Sequence, residues 1–323
     1  MGSYGGHVLP GTFFLLFGFW YVIKYARRFL RKRGSNGVFY CCKGRIPFSG
    51  IVIEGIIKVF MVSIGILVEL FYPGAPMGKL HGEDGEYTHP MNWQHATMYF
   101  FFGLSGVADI VSYTARHVVP AGFDRIFGAF ALFVEGYLFF FHLHGRSNID
   151  TRVHVLLVLA VWPCALFAFL QCLVMNKRKI LHIFEMLTAT LLIAQGLWFW
   201  QAAYILYPPN GSAWDPCMEV EKHEHTSHFQ HNDSDAMQDC NSLSNAELNL
   251  MFITMFWSWH IAGSIAIVSA VYFLTYQYLK CKGTLDPSFS VHYEHMSGGN
   301  AKFNSTTPLN GRLLSDGEEE DEI

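Results

Sequence analysis

Residues 153–175 read VHVLLVLAVWPCALFAFLQCLVM. The stretch carries no Asp, Glu, Lys or Arg. As a helix rising ~1.5 Å per residue it would run about 34 Å, enough to cross the ~30 Å hydrocarbon core of a bilayer. A barrel strand would be about half as long and would alternate apolar with polar residues. Working outward, the same pattern recurs at 8–26, 50–72, 92–114, 124–144, 180–206 and 249–279. The fold class expected is therefore all-α, a seven-transmembrane-helix bundle over 1–279. A disordered acidic tail is expected over 280–323, since a block of like charges is exposed and unfolded.

Composition agrees. Of 323 residues, 51% are hydrophobic and only 15% charged, against roughly a quarter charged in soluble domains. A net charge of −4 and the lack of a basic face exclude a nucleic-acid binder. The apolar content excludes a disordered chain.

Lys and Arg set the expected orientation. The loop 27–49 carries Arg27, Arg28, Arg31, Lys32, Arg33, Lys43 and Arg45, and another loop carries Lys177, Arg178 and Lys179. Placing both loops in the cytosol puts 17 of the 22 basic residues on that side and four on the other, with Lys58 inside a span. By the positive-inside rule the N-terminus is lumenal or extracellular and the C-terminus cytosolic. The bilayer is the obligatory partner. Cytosolic proteins are candidate partners through loop 27–49 and tail 280–323.

The lumenal loop 207–248 is acidic and rich in histidine, with His223, His225, His228 and His231. An oxidising lumen would let Cys217 pair with Cys240. Asn232 begins a glycosylation sequon there. On the cytosolic side Cys41, Cys42 and Cys281 are palmitoylation candidates. Trp198, Trp200, Tyr204 and Tyr207 read as an aromatic belt at the membrane interface. Pro163 predicts a kink in the fifth span.

Ionisable groups inside spans are expensive, about 2.5–3.5 kcal/mol each at mid-membrane, and so point to function. They fall in three layers. The outer one holds His7, Glu69, His95, His142, His144 and His154. The middle one holds Glu135, Gln195 and His260, and the inner one Glu54, Lys58 and Asp109. Glu54 and Lys58 are four apart, in the order that favours an intrahelical ion pair. Lys58 would instead reach Asp109 if their helices pack together. Imidazole with carboxylate suits a divalent metal such as zinc. His95, His142, His154, Glu135 and His260 are the candidate ligands. No compact ligand motif is present, and hydrogen bonding between helices is the competing role for the same groups. No Ser-nucleophile elbow, P-loop or dinucleotide motif occurs, so whether the chain is an enzyme stays open.

Several strings resemble the transmembrane protein 45 family: GHVLPGTFF at 6–14, MYFFFGLSGVAD at 98–109, LFVE at 132–135, HLHGR at 142–146, LYPP at 206–209, AWD at 213–215 and WH at 259–260. The resemblance implies a seven-helix protein of Golgi, endosomal or related membranes, the plasma membrane being the other location considered. It also implies that the polar positions inside the spans are shared, and it carries no settled activity. The function expected is a non-catalytic scaffold or regulator of membrane traffic. The alternatives are a metal-dependent membrane enzyme and a proton or ion pathway. A scaffold predicts polar groups satisfied between helices without a cavity. A pathway predicts all three layers facing one channel.

Overall fold

The computed structural model describes residues 3–31, 50–72, 74–82, 85–143, 146–208 and 243–289, with side chains from 248 onward in the last segment. Seven helices occur among them: α1 (Tyr4–Leu30), α2 (Gly50–Phe71), α3 (Pro90–Thr114), α4 (Phe123–Phe141), α5 (Asn148–Leu173), α6 (Arg178–Leu206) and α7 (Leu243–Cys281). All belong to one unit, Met1–Leu285. Of the other, Asp286–Ile323, only residues 286–289 are described, where Asp286 Oδ1 accepts from Ser288 N at 3.1 Å and Oγ at 2.9 Å.

Local chemistry explains the ends. Ser3 Oγ caps α1 by accepting from Gly6 N at 3.0 Å. Ser147 caps α5, which begins earlier than the apolar run suggested and continues through Pro163. Pro90 opens α3, where its missing N–H is harmless. Five helices are long and apolar enough to cross a membrane: α1, α2, α5, α6 and α7. The other two, α3 and α4, carry polar residues on faces turned toward their neighbours, including Asp109 and Glu135 at 6% and 2% exposure.

Consecutive contacts make a ring. α1 packs on α6, α6 on α5, α5 on α4, α4 on α3 and α3 on α2, while α1 and α2 scarcely touch. α7 lies outside, against α1, α6 and α5. Glycine decides the two closest seams. A Cβ on Gly11 would sit 3.0 Å from Gly196 O, and one on Gly196 would sit 2.9 Å from Gly11 O. Gly55 and Gly106 repeat this between α2 and α3, at 2.5 Å and 2.9 Å from each other's carbonyl oxygens. Without side chains there, backbones approach to dispersion contact, the force that associates helices where lipid is as apolar as protein. With α1 drawn to α6 and α2 drawn to α3, α1 and α2 meet only sparsely.

The expected aromatic belt is corrected in part. Trp198 is fully buried, and its Nε1 donates to Val153 O at 3.0 Å. A buried indole needs such an acceptor. Tyr204 is exposed.

Candidate functional site: an axial cavity with two polar ends

A cavity of about 200 Å³ lies inside the ring, bordered by α1 to α6. Helical spacing selects its lining. On α4 the residues facing it are Asp124, Arg125, Gly128, Leu132, Glu135 and Phe139, steps of three and four after the first turn that keep one face inward. Its middle is aromatic. Phe14 stacks on Phe199 at 5.7 Å and meets Phe102 edge-on at 5.6 Å, and Phe139 lies 5.8 Å from Phe199.

Four histidines gather at the end that holds the N-terminus of α1. Ring centroids lie 5.4 Å apart for His95 and His142, 6.0 Å for His142 and His154, and 5.9 Å for His154 and His7. Each ring is held through Nδ1. His95 lies 3.1 Å from Glu69 Oε1, His154 lies 2.9 Å from Asp150 O, His7 lies 3.0 Å from Ser3 O, and His142 meets Gln94 Oε1. Arg146 crosses the cluster, donating to Asp150 Oδ2 at 2.6 Å and to His142 O at 2.9 Å and contacting His142 Nε2. Asn92 also donates to Glu69 Oε2 at 3.0 Å.

The opposite end is basic. Glu54 accepts from Lys24 at 2.5 Å and Trp20 Nε1 at 3.1 Å, and Lys58 lies 3.5 Å away. Because α2 and α3 pack together, Lys58 Nζ also reaches Asp109 Oδ2 at 2.7 Å. A second network joins four helices. Glu185 on α6 accepts from Arg28 on α1 and from Arg125 on α4, the latter at 3.1 Å. Arg125 also meets Gln171 on α5, whose Nε2 donates to Thr188 Oγ1 at 2.8 Å. Lys24 Nζ sits over the Tyr21 and Tyr25 rings at 5.4 Å and 5.7 Å.

Among the expected metal ligands, His95, His142 and His154 come together. Glu135 lies deeper along the cavity, and His260 lies on α7 outside the ring, 5.6 Å from the Trp198 ring. Among the described residues no group of three His, Cys, Asp or Glu is placed to hold a metal. Gln195 is fully buried, and neither of its amide atoms meets a hydrogen-bond partner at bonding geometry among the described residues. Cys281 is exposed at the end of α7. His144, Cys41, Cys42, Cys217, Cys240 and Asn232 lie outside the described residues.

Some participants escaped the sequence reading. Glu185 lies within an apolar run, so its cost in a bilayer was a usable signal. Arg28, Lys24 and Arg125 counted only toward topology, because a cation near a span end looks alike whether it faces water or the bundle. Arg146 and Asp150 are four apart, a spacing that allows an intrahelical pair.

The sequence profile of a family of unknown function (DUF716) matches residues 121–273, from α4 into α7. Transmembrane epididymal protein 1A of Mus musculus is 23% identical over 87% of this chain and 83% of its own length. Transmembrane epididymal protein 1 of Rattus norvegicus is 24% identical over 88% and 84%. Its Homo sapiens namesake is 24% identical over 58% and 57%. These matches overturn the resemblance to the transmembrane protein 45 family. Short apolar strings with sparse polar residues recur wherever helices line a polar cavity, so they discriminate families poorly. The chain is a multi-pass membrane protein similar to the transmembrane epididymal proteins.

Proposed function

We propose that this chain crosses the membrane seven times and holds an amphiphilic small molecule in the cavity of its helical ring. The cavity carries the reading. A space of about 200 Å³ inside the ring, mostly apolar and carrying a few polar groups, has the character of a small-molecule site. A bundle serving only as a scaffold has no need of such a space. A scaffold also has no use for an aromatic middle between two polar ends, which is how an amphiphile is matched. Trafficking contacts through loop 27–49 and tail 280–323 fall mostly outside the described residues and add no support.

Packing supports seven crossings. α3 and α4 sit in the ring between helices that are apolar enough to span, and 19 residues of α4 rise about 28 Å. The first and seventh helices run the same way, with Arg31 and Leu285 bridged just past their C-terminal ends, as an odd number of crossings requires. The positive-inside count then argues for a lumenal or extracellular N-terminus.

A proton or ion pathway is the second reading, favoured by one observation. Glu69 and His95, then Glu135, then Glu54, Lys58 and Asp109 all border the same cavity.

Gly128 gives the test. It lines the cavity, and a Cβ there meets nothing within 4 Å. Phe at that position should fill the void and remove a helix-weakening glycine. Protein in nanodiscs should gain thermal stability with added phenylbutanol, and Gly128→Phe should abolish that gain while melting no lower than the parent. A response that survives Gly128→Phe, or no response in the parent, would sink the proposal.

A further inference from the structure

We infer that the cavity is a site for a lipophilic amine, whose ammonium is held by Glu135. This rests on the cavity being a small-molecule site and names the ligand's chemistry.

Charge balance within the cavity leads there. Glu54 and Asp109 have Lys24 and Lys58, and Glu69 has His95. Asp124 lies in the first turn of α4, where the helix terminus favours an anion. Glu135 is different. It borders the cavity at mid-depth, is 2% exposed, and its Oε2 has no hydrogen-bond partner among the described residues. Among the described residues no ion pair involves it. Its electrostatic neighbours are Tyr99 on α3 and Cys164 on α5, and neither is cationic. A carboxylate buried alone is strongly unfavourable and is relieved by a proton or by a cation; an amine entering the cavity takes that proton and leaves an ammonium paired with the carboxylate.

The surroundings choose the kind of cation. A hard metal ion needs several oxygen ligands, and Glu135 is one carboxylate among apolar groups. A tertiary ammonium carries one N–H and a greasy remainder. One carboxylate oxygen satisfies the N–H, and the faces of Phe14, Phe102, Phe139 and Phe199 accept the charge and the hydrocarbon. The sparse seam between α1 and α2 offers entry from the bilayer, since its polar bridges among the described residues, Lys24 and Trp20 to Glu54, sit at the basic end. An anionic amphiphile fits poorly, because the cations at the basic end are already engaged by carboxylates.

The test uses the full chain in nanodiscs and three probes that differ in head group: dimethyl-phenylbutylamine, phenylbutanol and phenylbutyrate. The amine should bind about tenfold more tightly than the alcohol, since a charge-assisted bond exceeds a neutral one by a little over 1 kcal/mol. The carboxylate should bind least. Glu135→Gln should erase the preference for amine and leave alcohol binding in place. Glu135→Met serves the same purpose should the glutamine variant fail to fold. If amine and alcohol bind the parent alike while Gly128→Phe blocks both, the amine assignment falls and the small-molecule cavity stands. If none of the three binds the parent, both fall.

Discussion

Glu185→Gln removes the carboxylate that two guanidinium groups share. The Glu185 side chain is 1% exposed and Arg125 is 16% exposed, whereas Arg28 is 47% exposed. Water therefore screens Arg28, and its pairing contributes little. Arg125 is the group left in difficulty: Gln171 supplies only a neutral acceptor, and no other carboxylate is paired with it among the described residues. Breaking a buried pair by removing one partner costs about 3–5 kcal/mol. At roughly 2–4 °C per kcal/mol for a chain of a few hundred residues, the apparent melting midpoint should fall by roughly 6–20 °C. The double variant Glu185→Leu with Arg125→Met should recover most of the loss, because an apolar pair of similar volume removes both desolvation costs. The assay is loss of the monodisperse peak in size-exclusion chromatography after heating in detergent. A Glu185→Gln midpoint within about 2 °C of the parent would refute the argument, and so would a double variant no better than the single one.

Gly55→Val and Gly196→Val should each cost about 1–3 kcal/mol, because a Cβ at either position meets a backbone carbonyl that cannot yield. The same melting assay reads this, and Gly5→Val, where a Cβ meets nothing, is the control. Zinc should stay well below one equivalent after gel filtration, because the Arg146 guanidinium contacts His142 Nε2 where a metal would sit. Elemental analysis decides it, and a full equivalent lost on His95→Ala would reverse the expectation. Glycan should appear on Asn232 and not on Asn304, which begins another sequon (Asn304-Ser305-Thr306) in the tail expected to be cytosolic, as mobility before and after glycosidase in cells would show. Glycan on Asn304 would invert the topology.

The helices were legible because membrane residence is a local sum. A stretch such as 153–175 is read from transfer energies that add residue by residue, and no neighbour is needed. Boundaries were less legible: α5 starts at Asn148 because Ser147 caps it, although the apolar run begins later. The polar layers were partly legible by depth, since 1.5 Å per residue places Glu135 midway and His95 near an end. Their partners were not. His142, His154 and His95 were grouped with Glu135 and His260, but depth carries no information about which side of the ring a helix occupies.

By itself, then, the sequence determined a chain of bilayer-length helices, an asymmetry of basic loops and a set of costly groups at three depths. Tertiary structure decided what those groups do. The glycine seams draw α1 to α6 and α2 to α3, and that choice of neighbours leaves the central cavity open. The same choice brings Arg28 and Arg125 to Glu185, sets four histidines in a row, excludes His260 and leaves Glu135 Oε2 without a hydrogen-bond partner among the described residues. The physical reason is range. Burial in lipid is priced within one helix, whereas charge pairing and void space depend on contacts between distant residues such as Arg28 and Glu185, 157 positions apart.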